Sequence, residues 1–245
     1  DPGSDSTTWH WDVAWAALLR NWGGVLLGVM FDSAYYWITA QSRRLAKMSS
    51  NFMVVDICMP MNGSMRRRRP EVGPVNMPLS RPSLELVQDR CRGTEKRWDV
   101  SFIGALYPQR VSELDRLKES GVSVAVNPHR LDRTHDFVSS RTNQPSWLDY
   151  MAGLAASHLT INFAQSNARQ VYQLKTRVIE AMLAGAVVLT DDVDRSSRFF
   201  VPDEHYLKFS SLDDLPELVS DALSDRVALT EMALRAHERA EPLVN

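Results

Sequence analysis

Cysteine is scarce: the 245 residues hold 2, Cys58 and Cys91. Two cysteines without CxxC spacing build neither a disulfide framework nor a cysteine zinc site, and the simplest compartment for them is a reducing, cytoplasmic one. An excess of one charge is also missing. Lys and Arg total 28 against 30 Asp and Glu, a formal net charge of -2. No global field therefore draws the chain to nucleic acid or to an acidic membrane surface. No apolar run reaches the ~18 residues that a spanning helix needs. Internal repeats and long low-complexity tracts are absent. Asp1 to Ser6 show no methionine and no signal-peptide layout, and read as a fusion scar or the cut end of a longer chain.

What is present is an ordinary globular composition. Hydrophobic residues make up 44% and charged residues 24%, enough apolar matter for a real core in one large or two smaller domains.

The first half alternates helical and strand patterns. Trp11, Trp15, Leu18 and Trp22 form a helical stripe over Thr7 to Trp22, with Ser6 or Thr7 as its cap. Core or interdomain packing explains this tryptophan-rich helix more simply than a ligand platform. Val25 to Phe31 reads as a buried strand, Ser33 to Ala46 as a helix, and Phe52 to Ile57 as a second strand. In such sheets ligands gather outside the carboxyl ends of strands, which puts Asp32 and Asp56 in candidate positions. Either is also an ordinary cap or turn residue. Pro60 to Pro82, with its run Arg66 to Arg69, reads as loop and linker. The arginine run has no interleaved aromatics and the chain no basic surplus, so a solvated loop or an acidic acceptor suits it better than nucleic acid.

The second half repeats the alternation more clearly. Ser83 to Glu95 reads as a connecting helix, Trp98 to Ile103 as a strand ending at Gly104, and Pro108 to Ser120 as a helix stopped by Gly121. A helix N-terminus after a strand–glycine turn offers N–H groups to a pyrophosphate, and Arg110 in its first turn adds a charged contact. Val122 to Val126 is the next strand, followed by Asn127-Pro128-His129, where Asn-Pro begins a turn. His129 has no second histidine or acid at ligand spacing, so no metal site is expected. Leu131 to Pro145 reads as a surface loop. Ser146 to Ala156 is a serine-capped helix with Trp147, Tyr150, Met151 and Leu154 on one side. His158 to Phe163 is a strand, and Ala164 to Ala168 a loop. Further on come a short strand, Tyr206 to Phe209, and helices over Ser211 to Leu223 and Asp225 to Glu238.

The most informative stretch is Gln173 to Asp192. Gln173, Arg177, Glu180 and Ala184 share one face of a predicted helix. Gly185 ends it, and Ala186 to Leu189 is an unbroken apolar run suited to a strand covered on both faces. Arg177 and Glu180 have the chemistry for a phosphate and a sugar hydroxyl. They also fit a plain surface ion pair worth about 0.2–0.5 kcal/mol.

Lys175, Arg177, Glu180, Gly185, Leu189 and Thr190, then Phe200, Pro202 and Glu204, then Asp213, Asp214 and Leu215 together resemble the donor-binding segment of GT-B glycosyltransferases. The likeness is nearest to the CgeB-like (spore maturation protein) group of family-1/4-type enzymes. It covers Asp99 to Leu223 well and Gly24 to Leu79 faintly. The resemblance implies an α/β, Rossmann-like fold: a complete donor domain over 83–245 and a partial, acceptor-side α/β domain with its linker over 1–82. It implies a transferase taking a UDP-, GDP- or related nucleotide sugar as donor, without a metal. Donor phosphates would lie over Gly104 and the base near Asn127 and His129. Arg110, Lys175 and Arg177 would stabilise the leaving diphosphate. Glu180 would hold the ribose, Glu204 would be a further candidate for the sugar or ribose, and Thr190 would belong to the same donor site.

Departures from the pattern are specific. Position 172 is tyrosine where many family-4 enzymes carry a first glutamate, and Asp203 stands where a turn glycine is common. The first half is short for a whole domain, so it is either reduced or missing its beginning. A catalytic base for an inverting reaction would be His10, Asp32 or Asp56, with Asp32 preferred. The acceptor, whether protein, glycan or lipid-linked, is open, and a homo-oligomer is allowed. Two other readings compete: a non-catalytic nucleotide-binding module of the same fold, and a partner-docking protein using the tryptophan helix and the arginine run. A flavodoxin-like or receiver domain fits less well, because no acidic cluster follows the first strand and the chain runs on too far.

Overall fold

Short β-branched runs separated by amphipathic segments build parallel strands with helical crossovers. In the structure, a computed structural model, residues 17–18, 20–30, 52–56, 79–104, 106–127, 146–166, 171–172 and 175–244 are described. The chain divides into two units, Asp1–Val75 and Asn76–Asn245.

In the first unit, β1 (Leu26–Met30) pairs in parallel with β2 (Phe52–Asp56), with Met30 opposite Asp56. Asp56 therefore closes the carboxyl end of this pair. Leu18 and Trp22, from the predicted tryptophan stripe, are exposed. Asp32, the Ser33 to Ala46 helix and Arg66 to Arg69 lie outside the described residues.

The second unit opens with α1 (Arg81–Cys91), β3 (Trp98–Phe102), α2 (Pro108–Glu119) and β4 (Val124–Val126). Then come α3 (Trp147–Ala155), β5 (Ser157–Asn162), the short pair β6 (Gln165–Ser166) and β7 (Val171–Tyr172), α4 (Thr176–Leu183) and β8 (Val187–Thr190). It closes with β9 (Tyr206–Lys208), α5 (Leu215–Ser224) and α6 (Arg226–Ala240). Five strands form one parallel sheet in the order β4-β3-β5-β8-β9.

Both faces of that sheet are covered. On one, Val100, Phe102, Leu159, Ile161, Val187 and Leu189 meet α2 and α5. On the other, Ile103 and Val188 meet α1, α3 and α4. The successive residues Val187, Val188 and Leu189 thus point to alternate faces, as the pleat requires. Helix α6 reaches both cores, through Leu229 on one side and Ala236 and Ala240 on the other. Of these strands β8 reads as a continuous apolar run because neither of its faces meets water, whereas β3 and β5 bury Ser101, Thr160 and Asn162 among their apolar residues.

Two details differ from the sequence-based expectation. The central helix begins at Thr176 rather than Gln173: Lys175 is its extended N-cap (φ −90°, ψ 140°). Just upstream, the expected loop carries a strand pair, with Gln165 opposite Tyr172. At the other end, Gly185 adopts φ 75°. Its N–H donates to Met182 O (3.0 Å) and the Ala186 N–H to Ala181 O (2.9 Å), the paired bonds of a Schellman ending.

Candidate functional site

In chain order within the second unit, the strands run 2-1-3-4-5 across the sheet. The crossovers leaving β3 and entering β5 lie on opposite faces, with α2 on one and α3 on the other. The order therefore reverses between β3 and β5, and the crevice at their carboxyl ends is the expected ligand position.

Phe102, the last residue of β3, is fully buried there. Its ring lies under two guanidinium groups, with Arg110 Cζ 5.7 Å and Arg177 Cζ 5.5 Å from the centroid. Arg110 also lies over Tyr107 (4.6 Å) and Phe163 (5.6 Å). Burial, and after it the nearby Arg177 charge, push the Arg110 pKa down, with Tyr107 opposing. The two cations thus share one aromatic floor, and each feels the other in a partly dry setting where like charges repel strongly. The first turns of α2 and α4 deliver them from helices after β3 and before β8.

Gly104 makes this approach feasible. A side-chain carbon there would stand 2.7 Å from Arg177 Nη2, and the residue adopts φ 153°. Its peptide is held at both ends by Asn127, which follows β4 with φ 47°. The Gly104 N–H donates to Asn127 Oδ1 (2.8 Å), and Asn127 Nδ2 donates to Gly104 O (3.2 Å). The glycine N–H is thus bonded within the protein, and Gly104 serves the site by leaving room for Arg177.

Glu180 is buried on α4, one turn after Arg177. Its carboxylate accepts from Trp147 Nε1 (3.2 Å) and from Tyr150 Oη (2.8 Å), both on α3. Burial first, then the Glu180 charge, raise the Tyr150 pKa, while the Arg177 guanidinium against the same hydroxyl lowers it. No ion pair between Arg177 and a carboxylate occurs among the described residues, so the surface-pair explanation of Arg177 and Glu180 does not hold. Lys175, half-buried at the N-cap, begins the same helix.

A second polar cluster closes β5 and β8. Asn162 Nδ2 donates to Asp194 Oδ2 (2.9 Å) and more weakly to Thr190 Oγ1 (3.5 Å). Ser196 donates to Asp194 Oδ1 from its hydroxyl (2.8 Å) and its N–H (3.1 Å). Burial raises the Asp194 pKa to about 6, opposed by the Ser196 bonds and helped by Asp191 and Asp192. The Thr190 hydroxyl is thus engaged with its own loop, also accepting from the Asp192 N–H (3.3 Å). Glu204 is exposed on the turn before β9, with its carboxylate 3.8 Å from His205 Nε2. Asp203 beside it takes φ 63°, the left-handed conformation that glycine would supply.

Hydrogen bonds join Gly104 to Asn127, the Phe102 ring is shared by Arg110 and Arg177, and Glu180, one turn after Arg177, is bonded to Trp147 and Tyr150. Thr190 ends β8, and Glu204 lies on the turn before β9. Asp32 and His129 lie outside the described residues. Three features escape the sequence pattern: the Phe102 floor, the Asn127 brace, and the α3 partners of Glu180. The Asp194 loop had a readable signal, since Asp-x-Ser is a common Asx-turn pairing.

The Glycosyl transferase-like family model matches residues 97–242, more than half of the chain and all of this sheet. The chain belongs to that family. No curated protein matches it. Among solved structures, this family member is similar to the C-terminal domain of a glycosyl transferase group 1 family protein, LpcC, from Francisella tularensis. The identity is 11% and the TM-score 0.41, over 69% of this chain and 95% of that one. It is also similar to Anabaena HepE in complex with UDP-glucose, at 14% identity and TM-score 0.44, over 100% of this chain and 66% of that one. Staphylococcal (S. aureus) TarM is similar at 12% identity and TM-score 0.44, over 93% of this chain and 43% of that one. The chain thus spans less than two thirds of HepE and of TarM.

Proposed function

We propose that this glycosyl transferase-like chain moves a sugar from a nucleotide-sugar donor to an acceptor. The carrying observation is the pair Arg110 and Arg177 on the Phe102 ring at the sheet's switch point. Two like charges near one another repel, and an anion held by both relieves that repulsion. A diphosphate, with charge on two phosphoryl groups, is an anion that two guanidinium groups can hold together. As the glycosidic bond to the donor phosphate breaks, negative charge grows on the departing diphosphate. Preplaced guanidinium groups, with Lys175 at the start of α4, stabilise that charge without reorganising. Glu180 then holds the ribose hydroxyls, its two oxygens matching a vicinal diol. Asn127 acts by bracing Gly104, and the base lies beyond it toward His129. Thr190, at the end of β8, and Glu204 add donor contacts, Glu204 to the sugar or the ribose.

The CgeB-like grouping is part of this proposal and rests on the run Lys175, Arg177, Glu180, Gly185 and Thr190. So are a cytoplasmic location and an acceptor-side role for residues 1–82, with Asp32 as base if the reaction inverts. The nucleotide, the sugar and the acceptor class are left to experiment.

A thermal-shift screen of UDP, GDP, ADP and TDP tests the reading. One diphosphate at 100 times its Kd should add about 2.7 kcal/mol of stability, and its nucleotide sugar should release that diphosphate during turnover. Stabilisation without turnover on any acceptor would make the chain a nucleotide-binding module. No shift with any of the four would remove the donor-site assignment.

A further inference from the structure

Helix α3 carries Trp147 and Tyr150 three positions apart, so both side chains leave one face of the helix. That face meets α4 at Glu180. Each carboxylate oxygen receives one donor: Tyr150 Oη at 2.8 Å on Oε2, and Trp147 Nε1 at 3.2 Å on Oε1. A carboxylate has about four acceptor positions, so both oxygens keep capacity for a ligand. Both donors are neutral, so they orient the carboxylate without neutralising it. The Tyr150 hydroxyl also lies against the Arg177 guanidinium.

We propose that Tyr150 and Trp147 are positioning residues of the donor site: they aim Glu180 at the ribose diol. This rests on the donor-site reading above. Both side chains are stiff, so little ordering is left for the moment of binding. A packing role alone would predict that losing either bond weakens the fold but not the recognition of one hydroxyl pair.

The test is calorimetric titration of the full chain with UDP and 2′,3′-dideoxy-UDP, or the corresponding pair if the screen selects another base. Wild type should prefer UDP by about tenfold or more, the scale of hydrogen bonds to a charged group. Tyr150→Phe should bring that preference close to one, leave dideoxy-UDP binding within about twofold, and keep a wild-type circular dichroism spectrum. In a Glu180→Ala background, Tyr150→Phe should change nothing further. Trp147→Phe, which keeps a ring and removes the N–H, should lose part of the preference. A Tyr150→Phe chain that keeps the wild-type preference, or weakens both ligands equally, overturns the inference while the donor site stands. A wild type that binds UDP and its dideoxy analogue equally, or binds no diphosphate, overturns the ribose assignment itself and the inference with it.

Discussion

Gly104 shows how one missing carbon carries the site. Its absent side chain leaves space for Arg177 Nη2, which a Cβ would meet at 2.7 Å. In Gly104→Ala the flexible guanidinium will yield before the sheet does. The expected result is a modest loss of stability, about 1 kcal/mol from the backbone conformation, with a disproportionate loss of diphosphate affinity. Denaturant melts and calorimetry on the same variant separate the two. Arg177 itself faces a stricter demand. Arg177→Lys keeps the charge but gives up the planar group that stacks on Phe102. Turnover should fall about 100- to 1000-fold, the scale seen when one preplaced donor to a developing anion is lost. A steady-state assay with the selected nucleotide sugar checks it, and a loss below about fivefold would remove Arg177 from the leaving-group role.

At the scale of elements, the loop after β8 couples the fold to pH. Asp194 is 4% exposed, and its pKa in the folded chain is about 6 against 3.8 for an ordinary aspartate. The folded state therefore holds this proton through a window where the unfolded chain has lost it. The resulting stabilisation is complete below about pH 4 and is lost as pH rises through about 6, with a size of about 3 kcal/mol. Asp194→Asn should flatten that part of the stability curve relative to wild type. Urea melts of both chains at pH 4.5 and 7.5 measure the difference, and equal slopes would contradict it. The start of α5 offers a plainer case. Ser211 Oγ accepts from the Asp213 N–H (3.2 Å) and Asp214 Oδ2 accepts from the Ser211 N–H (3.0 Å). Ser211→Ala should cost about 1 kcal/mol, read as a lower urea midpoint at unchanged m-value.

The same scale shows what the sequence could and could not reveal. The strand β8 was legible as an unbroken apolar run, and β3 and β5 as short runs of alternating apolar and polar residues between turns. Gly185 was legible as a helix stop because its left-handed conformation favours glycine. The start of α4 was not, because the i, i+4 spacing continues back through Gln173. Nothing local announces that Lys175 is extended or that Val171–Tyr172 pairs with Gln165–Ser166. Arg110, Arg177 and Glu180 stood out by type and spacing. Their partners Phe102, Asn127, Trp147 and Tyr150 did not, since each contact depends on which strands are neighbours. Asn127 looked like the opening of a turn; its amide in fact closes on Gly104, 23 residues earlier.

For the whole molecule, a sheet covered on both faces gives a rigid frame, and its reversal of strand order brings the first turns of α2 and α4 to one crevice. The central claim is that Arg110 and Arg177 together form a diphosphate seat. Calorimetric titration with UDP and UMP, or the pair of the selected base, tests it most directly. Wild type should bind the diphosphate at least tenfold tighter than the monophosphate, and Arg110→Ala/Arg177→Ala should close that gap while keeping the fold. Equal affinities in wild type, or a gap that survives the double substitution, would contradict the account.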